Sequence, residues 1–159
     1  KAWGEVFGRP IAAMSRLEIL AGQRRSNAPF VASFIDAQRG QVFGVLYKRD
    51  GAELVLCRDE AVSGAADFLA EVVGETGSAG VEWVTTDVAA MESLIEWRER
   101  APRAWSVLEV SPVLAPLLGK LGLQKASKGQ IQDALSLDAN YVRRSYVEAA
   151  AKPAHETQP

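Results

Sequence analysis

The strongest hydrophobic pattern in the chain runs from Phe30 to Arg49. Phe30, Val31, Ala32, Phe34 and Ile35 form a near-continuous apolar run, the composition of a strand buried on both faces. It predicts a strand over Phe30–Asp36. A polar loop, Asp36-Ala-Gln-Arg-Gly40, follows. Val42, Val45 and Tyr47 then mark a second strand over Gln41–Lys48, rich in β-branched and aromatic residues. Asp50-Gly51 forms a tight turn into a third strand, Glu53–Arg58. In the first loop Gly40 supplies a positive φ at little cost, and Asp36 is placed to hydrogen-bond the backbone of the turn it begins.

Before this hairpin the period changes to that of helices. Trp3, Val6 and Phe7 stand at helical spacing and stop at Gly8. A helix this short is not stable alone, so Lys1–Phe7 reads as the cut end of something longer. Ile11–Met14 reads as extended. Ser15-Arg-Leu-Glu18 fits a capping box. It opens a helix with Leu17, Leu20 and Ala21 on one face, Arg24 and Arg25 near its end, and Asn27 and Pro29 to stop it.

After the third strand, Ser63 is placed to cap a helix through Val73, with Phe68, Leu69, Val72 and Val73 inward and Gly74 at its end. Val81–Thr85 is a strand, and Asp87 caps a helix striped by Val88, Met91, Leu94 and Ile95. Trp105–Val110 is a strand. Ser111-Pro112 starts a helix whose Leu114, Leu117, Leu118 and Leu121 point to the core, running to Gly129 despite Gly119 and Gly122. From Gln130 the periodicity weakens, with Tyr141–Arg144 extended and Lys152–Pro159 a tail. Three antiparallel strands followed by helix, strand, helix, strand and helix imply a mixed α/β sheet with helices on both faces. That is the order of the ribonuclease-H-like fold, which also forms each half of actin-like ATPases.

Composition narrows the class. A chain of 159 residues with 48% apolar content fits one domain with a sizeable core. A formal charge of −2 with interspersed signs gives no field that would gather nucleic acid. Cys57 is the only cysteine, which excludes an internal disulfide, and its mid-strand position predicts a core residue. No apolar run reaches the roughly 20 residues of a membrane helix, and nothing resembles a signal peptide. A cytoplasmic location is expected. The start at Lys1, without methionine and inside a helical pattern, suggests a fragment.

Two kinds of chemistry suit such a fold. A two-metal nuclease needs carboxylates converging from several elements. Asp36 at the first strand tip, Asp67 or Glu71 on the helix after the third strand, and Asp87 after the fourth are the candidates. Each also has a structural explanation: a turn, a solvent face and a helix cap. An ATPase needs closely spaced glycines so that backbone N–H groups can cradle phosphate. Here Gly40 is alone, with Gln38 and Arg39 beside it. Cys57 is not placed as a nucleophile, nor is the single histidine, His155 in the polar tail, placed as a base.

Three segments carry a family resemblance. VASFIDAQRGQVFGVLYKR resembles the "IDAR-x-GEVY" hairpin of the bacterial TsaB (YeaZ) family. Gly8-Arg-Pro-Ile-Ala-Ala-Met-Ser-Arg-Leu-Glu18 resembles its "PxxGVSTLEAL" segment, and Asn140-Tyr-Val-Arg143 its "P-x-YLR" motif. Gln41 stands where the family has glutamate, Phe43 where it has tyrosine, and the proline before Tyr141 is missing. The family's "DTS" strand and "GPGSFTG" helix start have no counterpart in this sequence. The resemblance implies a C-terminal ribonuclease-H-like domain over 11–151, with 1–10 a remnant of the N-terminal domain's helix and connection and 152–159 a tail.

It further implies a non-catalytic, glycoprotease-like subunit that acts as scaffold and dimerisation partner in making threonylcarbamoyladenosine beside the tRNA anticodon. The catalytic partner would be the ATPase-fold subunit TsaD. No cofactor, metal or membrane is implied, and contact with tRNA is at most indirect. Asp36, Arg39 and Gly40 would then be a degenerate phosphate-loop hairpin. Trp3, Val6 and Phe7 would be a partner or homodimer contact, and Tyr141 and Arg143 the family's C-terminal motif. The alternative is a ribonuclease-H-like metal-dependent phosphodiester hydrolase using Asp36, Asp67 or Glu71, and Asp87.

Overall fold

The computed structural model describes residues 1–89 and 105–137. Its elements in chain order are α1 (Ala2–Val6), α2 (Arg16–Ala21), β1 (Phe30–Gln38), β2 (Gln41–Asp50), β3 (Glu53–Gly64), α3 (Ala65–Thr76), β4 (Val81–Thr85), β5 (Ser106–Glu109) and α4 (Ala115–Ser127). The strands form one sheet in the order β3-β2-β1-β4-β5. β1 pairs antiparallel with β2, from Phe30↔Lys48 to Asp36↔Val42, and parallel with β4, from Phe30↔Val81 to Phe34↔Thr85. β3 extends the antiparallel side and β5 the parallel side. The fold is therefore a mixed α/β sheet of the ribonuclease-H-like kind, with β1 at its centre, as the pattern predicts.

The period of two along β1 divides the core. Ala32 and Phe34 share one face with Val42, Leu46, Val81 and Trp83, and α3 covers them with Phe68, Leu69 and Val72. Val31 shares the other face with Val45, Tyr47 and Val84, under Leu17, Leu20 and Ala21 of α2. Burial on both faces explains why β1 reads as continuous apolar sequence rather than alternation. Trp83 is fully buried at the hub of the first cluster, edge-on to Phe34 and Phe68 with centroids at 6.1 and 5.7 Å. Trp105 packs at 5.2 Å and donates its indole N–H to the Ala79 carbonyl.

Several boundaries differ from the sequence expectation. α2 stops at Ala21, capped by Gly22, rather than running to Asn27. Ser15 does cap it, but through the Leu17 N–H, and the Glu18 carboxylate pairs with Lys125 instead of closing a capping box. The hairpin loop is tighter than predicted, because β1 continues to Gln38 and only Arg39 and Gly40 turn the chain. β3 runs to Gly64, and Ser63 lies in it opposite Val42 rather than capping α3. Gly74 sits inside α3, which ends at Thr76 with Gly77 at φ +57°.

At α4 the serine and proline make a turn, with Ser111 Oγ accepting the Val113 N–H, and the helix begins at Ala115. No residue of α4 is buried, and Leu118 is exposed rather than in the core. Cys57 is exposed, not buried, because β3 is an edge strand. The stripe of Met91, Leu94 and Ile95 lies outside the described residues.

Candidate functional site

The β1–β2 tip is built from three consecutive residues with left-handed backbone: Gln38 at φ 65°, Arg39 at φ 58° and Gly40 at φ 72°. Only glycine adopts this region without steric cost. Asp36 helps to hold the other two there, its Oδ1 accepting the Gln38 N–H at 2.7 Å. The Gly40 carbonyl accepts the Ala65 N–H at 3.0 Å, which joins the tip to the first residue of α3. A phosphate cradle requires outward-pointing N–H groups. Here those of Gln38 and Ala65 are bonded within the fold, and the Asp36 carboxylate serves the turn.

The topology brings three of the candidate carboxylates to one end of the sheet. Asp36 lies near the end of β1, Asp87 follows the parallel β4, and Asp67 occupies the first turn of α3 beside the tip. Glu71 is diverted into an ion pair with Arg58 at 2.8 Å. The Asp87 N–H is bonded to Thr85 Oγ1. Among the described residues no group of three or more His, Cys, Asp or Glu side chains is close enough to hold a metal ion. The carboxylates share an end of the sheet without forming a metal centre.

The N-terminal surface is the second candidate. Trp3, Val6 and Phe7 are 80%, 75% and 61% exposed, and the rings of Trp3 and Phe7 lie tilted against each other with centroids at 5.4 Å. α1 is nonetheless seated on the domain. A Cβ on Gly4 would meet the Arg9 carbonyl at 3.0 Å and Ala134 at 3.1 Å, so glycine permits the close approach. Ile11 then exchanges backbone hydrogen bonds with Gln132 at 2.9 and 2.8 Å. The aromatic face is thus turned outward from a fixed support. Tyr141 and Arg143 lie outside the described residues.

One buried polar group escapes a reading by pattern. Glu82 is 2% exposed on β4, and its Oε1 accepts the N–H groups of Arg25 and Ser26 at 2.9 Å each. This carboxylate fixes the loop between α2 and β1. The signal was a charged residue within Val81-Glu-Trp-Val84, where a strand buried on both faces has no solvent for it.

With the geometry in view, comparison with known proteins adds a fold relationship. A crystal structure described as an uncharacterized protein with similarity to peptidase YEAZ, from Pseudomonas aeruginosa, matches with a TM-score of 0.64 and 24% identity, over 89% of this chain and 63% of that one. YeaZ from Pseudomonas aeruginosa matches with a TM-score of 0.59 and 24% identity, over 85% of this chain and 60% of that one. The fold is shared with YeaZ. The chain spans less than two thirds of the length of either YeaZ-related structure. No protein-family model matches it, and no curated protein does. Among the described residues, no helix is long and apolar enough to cross a membrane.

Proposed function

We propose that the chain is the C-terminal, ribonuclease-H-like lobe of a TsaB-type subunit, a non-catalytic scaffold for making threonylcarbamoyladenosine in tRNA. The observation that carries this reading is the hairpin tip. Its sequence resembles the family's hairpin, its fold is that of the YeaZ structures, and its backbone is closed on itself, with Asp36 on Gln38 and Gly40 on Ala65. Residues 11–151 would form the lobe, residues 1–10 its connection and residues 152–159 a tail. Trp3, Val6 and Phe7 would cover apolar surface on a neighbouring domain, on a second copy or on a TsaD-like ATPase, since such a patch is stabilised by company. Tyr141 and Arg143 would carry the family's C-terminal motif, and the protein would work in the cytoplasm.

The test is reconstitution with a TsaD-like subunit from the same genome, using the complete gene product. The expected result is a complex on gel filtration and threonylcarbamoyladenosine formation that depends on the protein. In the same assay Asp36→Ala leaves the modification rate unchanged. Absence of a complex, or magnesium-dependent RNA cleavage by the purified protein that requires Asp36, overturns the reading.

A further inference from the structure

A polar trough on the α2 face of the sheet has no part in the scaffold reading. One compartment, about 350 Å³, lies between α2, the β2–β3 turn and α4, and Arg24, Lys125 and Lys128 line it. A second, about 630 Å³, is lined by Ser15, Asp59 and Glu60. Glu18, Tyr47 and Leu54 line both, so the two compartments adjoin. The first compartment carries Arg24, Lys125 and Lys128 together with Glu18 and Glu53, whereas the charged groups of the second are all carboxylates, Glu18, Asp59 and Glu60.

Tyr47 stands at the junction. It is only 7% exposed, yet its hydroxyl makes no hydrogen bond among the described residues. The hydroxyl oxygen is not among the buried polar atoms that lack a partner, so it opens onto the trough while the ring is buried. Burial, reinforced by the charges of Glu18 and Glu60, pushes its pKa above the usual tyrosine range, so the hydroxyl keeps its proton. In the first compartment Arg24 Nε is buried and unpartnered, while Nη2 of the same guanidinium donates to the Ala52 carbonyl. Lys125 in the last turn of α4 and Lys128 at its C-cap both line this compartment. Lys125 is held by Glu18, whereas Lys128 pairs with the exposed Glu53, an exchange partner that a ligand anion displaces at little cost. At the other end Asp59 and Glu60 make no ion pair among the described residues.

We propose that this trough binds a small zwitterion of the amino-acid class. Its carboxylate lies between Arg24 and Lys128, its ammonium lies toward Asp59 and Glu60, and the Tyr47 hydroxyl bonds between them. The proposal stands apart from the scaffold reading, because none of these residues belongs to the hairpin tip or to the N-terminal patch. The ligand carboxylate takes the place of Glu53 on Lys128 and the ammonium answers Asp59 and Glu60, so recognition requires both charges.

The experiment is a calorimetric titration of the protein with a series of unbranched ω-amino acids of increasing length. The matching carboxylic acids and amines, each carrying one of the two charges, are the controls. One chain length is expected to saturate the protein, with its acid and amine counterparts about tenfold weaker or more, the loss that follows from removing one charge-assisted interaction. Lys128→Ala should reduce the zwitterion to the affinity of the amine, and Asp59→Asn with Glu60→Gln to that of the acid. Tyr47→Phe should weaken binding several-fold with the unfolding midpoint unchanged. The proposal is overturned if no member saturates at millimolar concentration, if the acid binds as tightly as the zwitterion, or if Tyr47→Phe and Lys128→Ala both bind like the parent.

Discussion

The ring of Phe68 on α3 lies against the backbone of Gly44 on β2. A Cβ built at Gly44 would stand 2.5 Å from both Cε2 and Cζ of that ring. Phe68 is 3% exposed and meets Trp83 edge-on, so it has no room to retreat. Gly44→Ala is therefore expected to destabilise the fold by about 1–3 kcal/mol, the range for overpacking a core. Urea unfolding should show a lowered midpoint with an unchanged slope. A midpoint equal to the parent's would contradict this contact.

The hairpin tip makes the opposite prediction. Gln38 and Arg39 both hold positive φ, at 65° and 58°. A non-glycine residue in that region pays roughly 1 kcal/mol or more, partly offset for glycine by its greater freedom in the unfolded chain. Arg39→Gly should stabilise the protein by about 0.5 kcal/mol. Asp36→Ala removes the acceptor of the Gln38 N–H and should cost about 1 kcal/mol, as a lost capping bond does. Paired thermal melts of the two variants test the signs, and a stabilising Asp36→Ala would show that the turn does not depend on that bond.

How much of this was legible in the sequence depends on what each residue answers to. β1, β2 and β4 were readable because burial on both faces forces apolar residues into Val31–Ile35, Val42–Tyr47 and Val81–Val84. The end of α2 was not readable. It falls at Gly22, where α4 packs so closely that a Cβ would meet Leu121 and Leu117 at 3.2 and 3.3 Å, a contact about a hundred residues away in the chain. The exposure of Cys57 and Leu118 was also hidden, since a strand's place at a sheet edge and a helix's depth depend on the neighbours that topology supplies. At the candidate site, the turn-forming role of Asp36 follows from the Asp-x-x-x-Gly pattern. The surroundings of Tyr47 did not, because it is a strand residue that packs with Leu17, Leu20 and Ala21 of α2 only after folding.

Glu82 should be the most sensitive charged position. Its carboxylate accepts two backbone N–H groups from the α2–β1 loop while 2% exposed. Glu82→Ala leaves both donors without their acceptor and should destabilise by about 2–3 kcal/mol. Glu82→Gln keeps one acceptor oxygen and should cost less than half of that. Chemical denaturation of the three proteins checks the ranking. Equal stability of Glu82→Ala and the parent would rule out a clamping role for this side chain.

The attachment of α4 should respond to acid. No residue of α4 is buried, and its C-terminal half is tied down by Lys125 to Glu18 and by Lys128 to Glu53. The hydrogen bond from Lys128, and then its charge, hold the Glu53 carboxyl below its ordinary pKa of 4.5. A carboxyl depressed in the folded state contributes stability above its unfolded pKa and loses it as pH falls through the folded value. The contribution of Lys128–Glu53 is therefore complete at neutral pH and fades below about pH 4.5. High salt should weaken it as well, because the pair is exposed. Hydrogen-exchange protection of the last turn of α4 is thus expected to fall on acidification and with added salt, while that of β1, paired on both edges, stays constant. Lys128→Gln should lower this protection at neutral pH and flatten its dependence on acid, and an unaltered pH profile in that variant would show that the helix is held by its half-buried Leu117 and Leu121 instead.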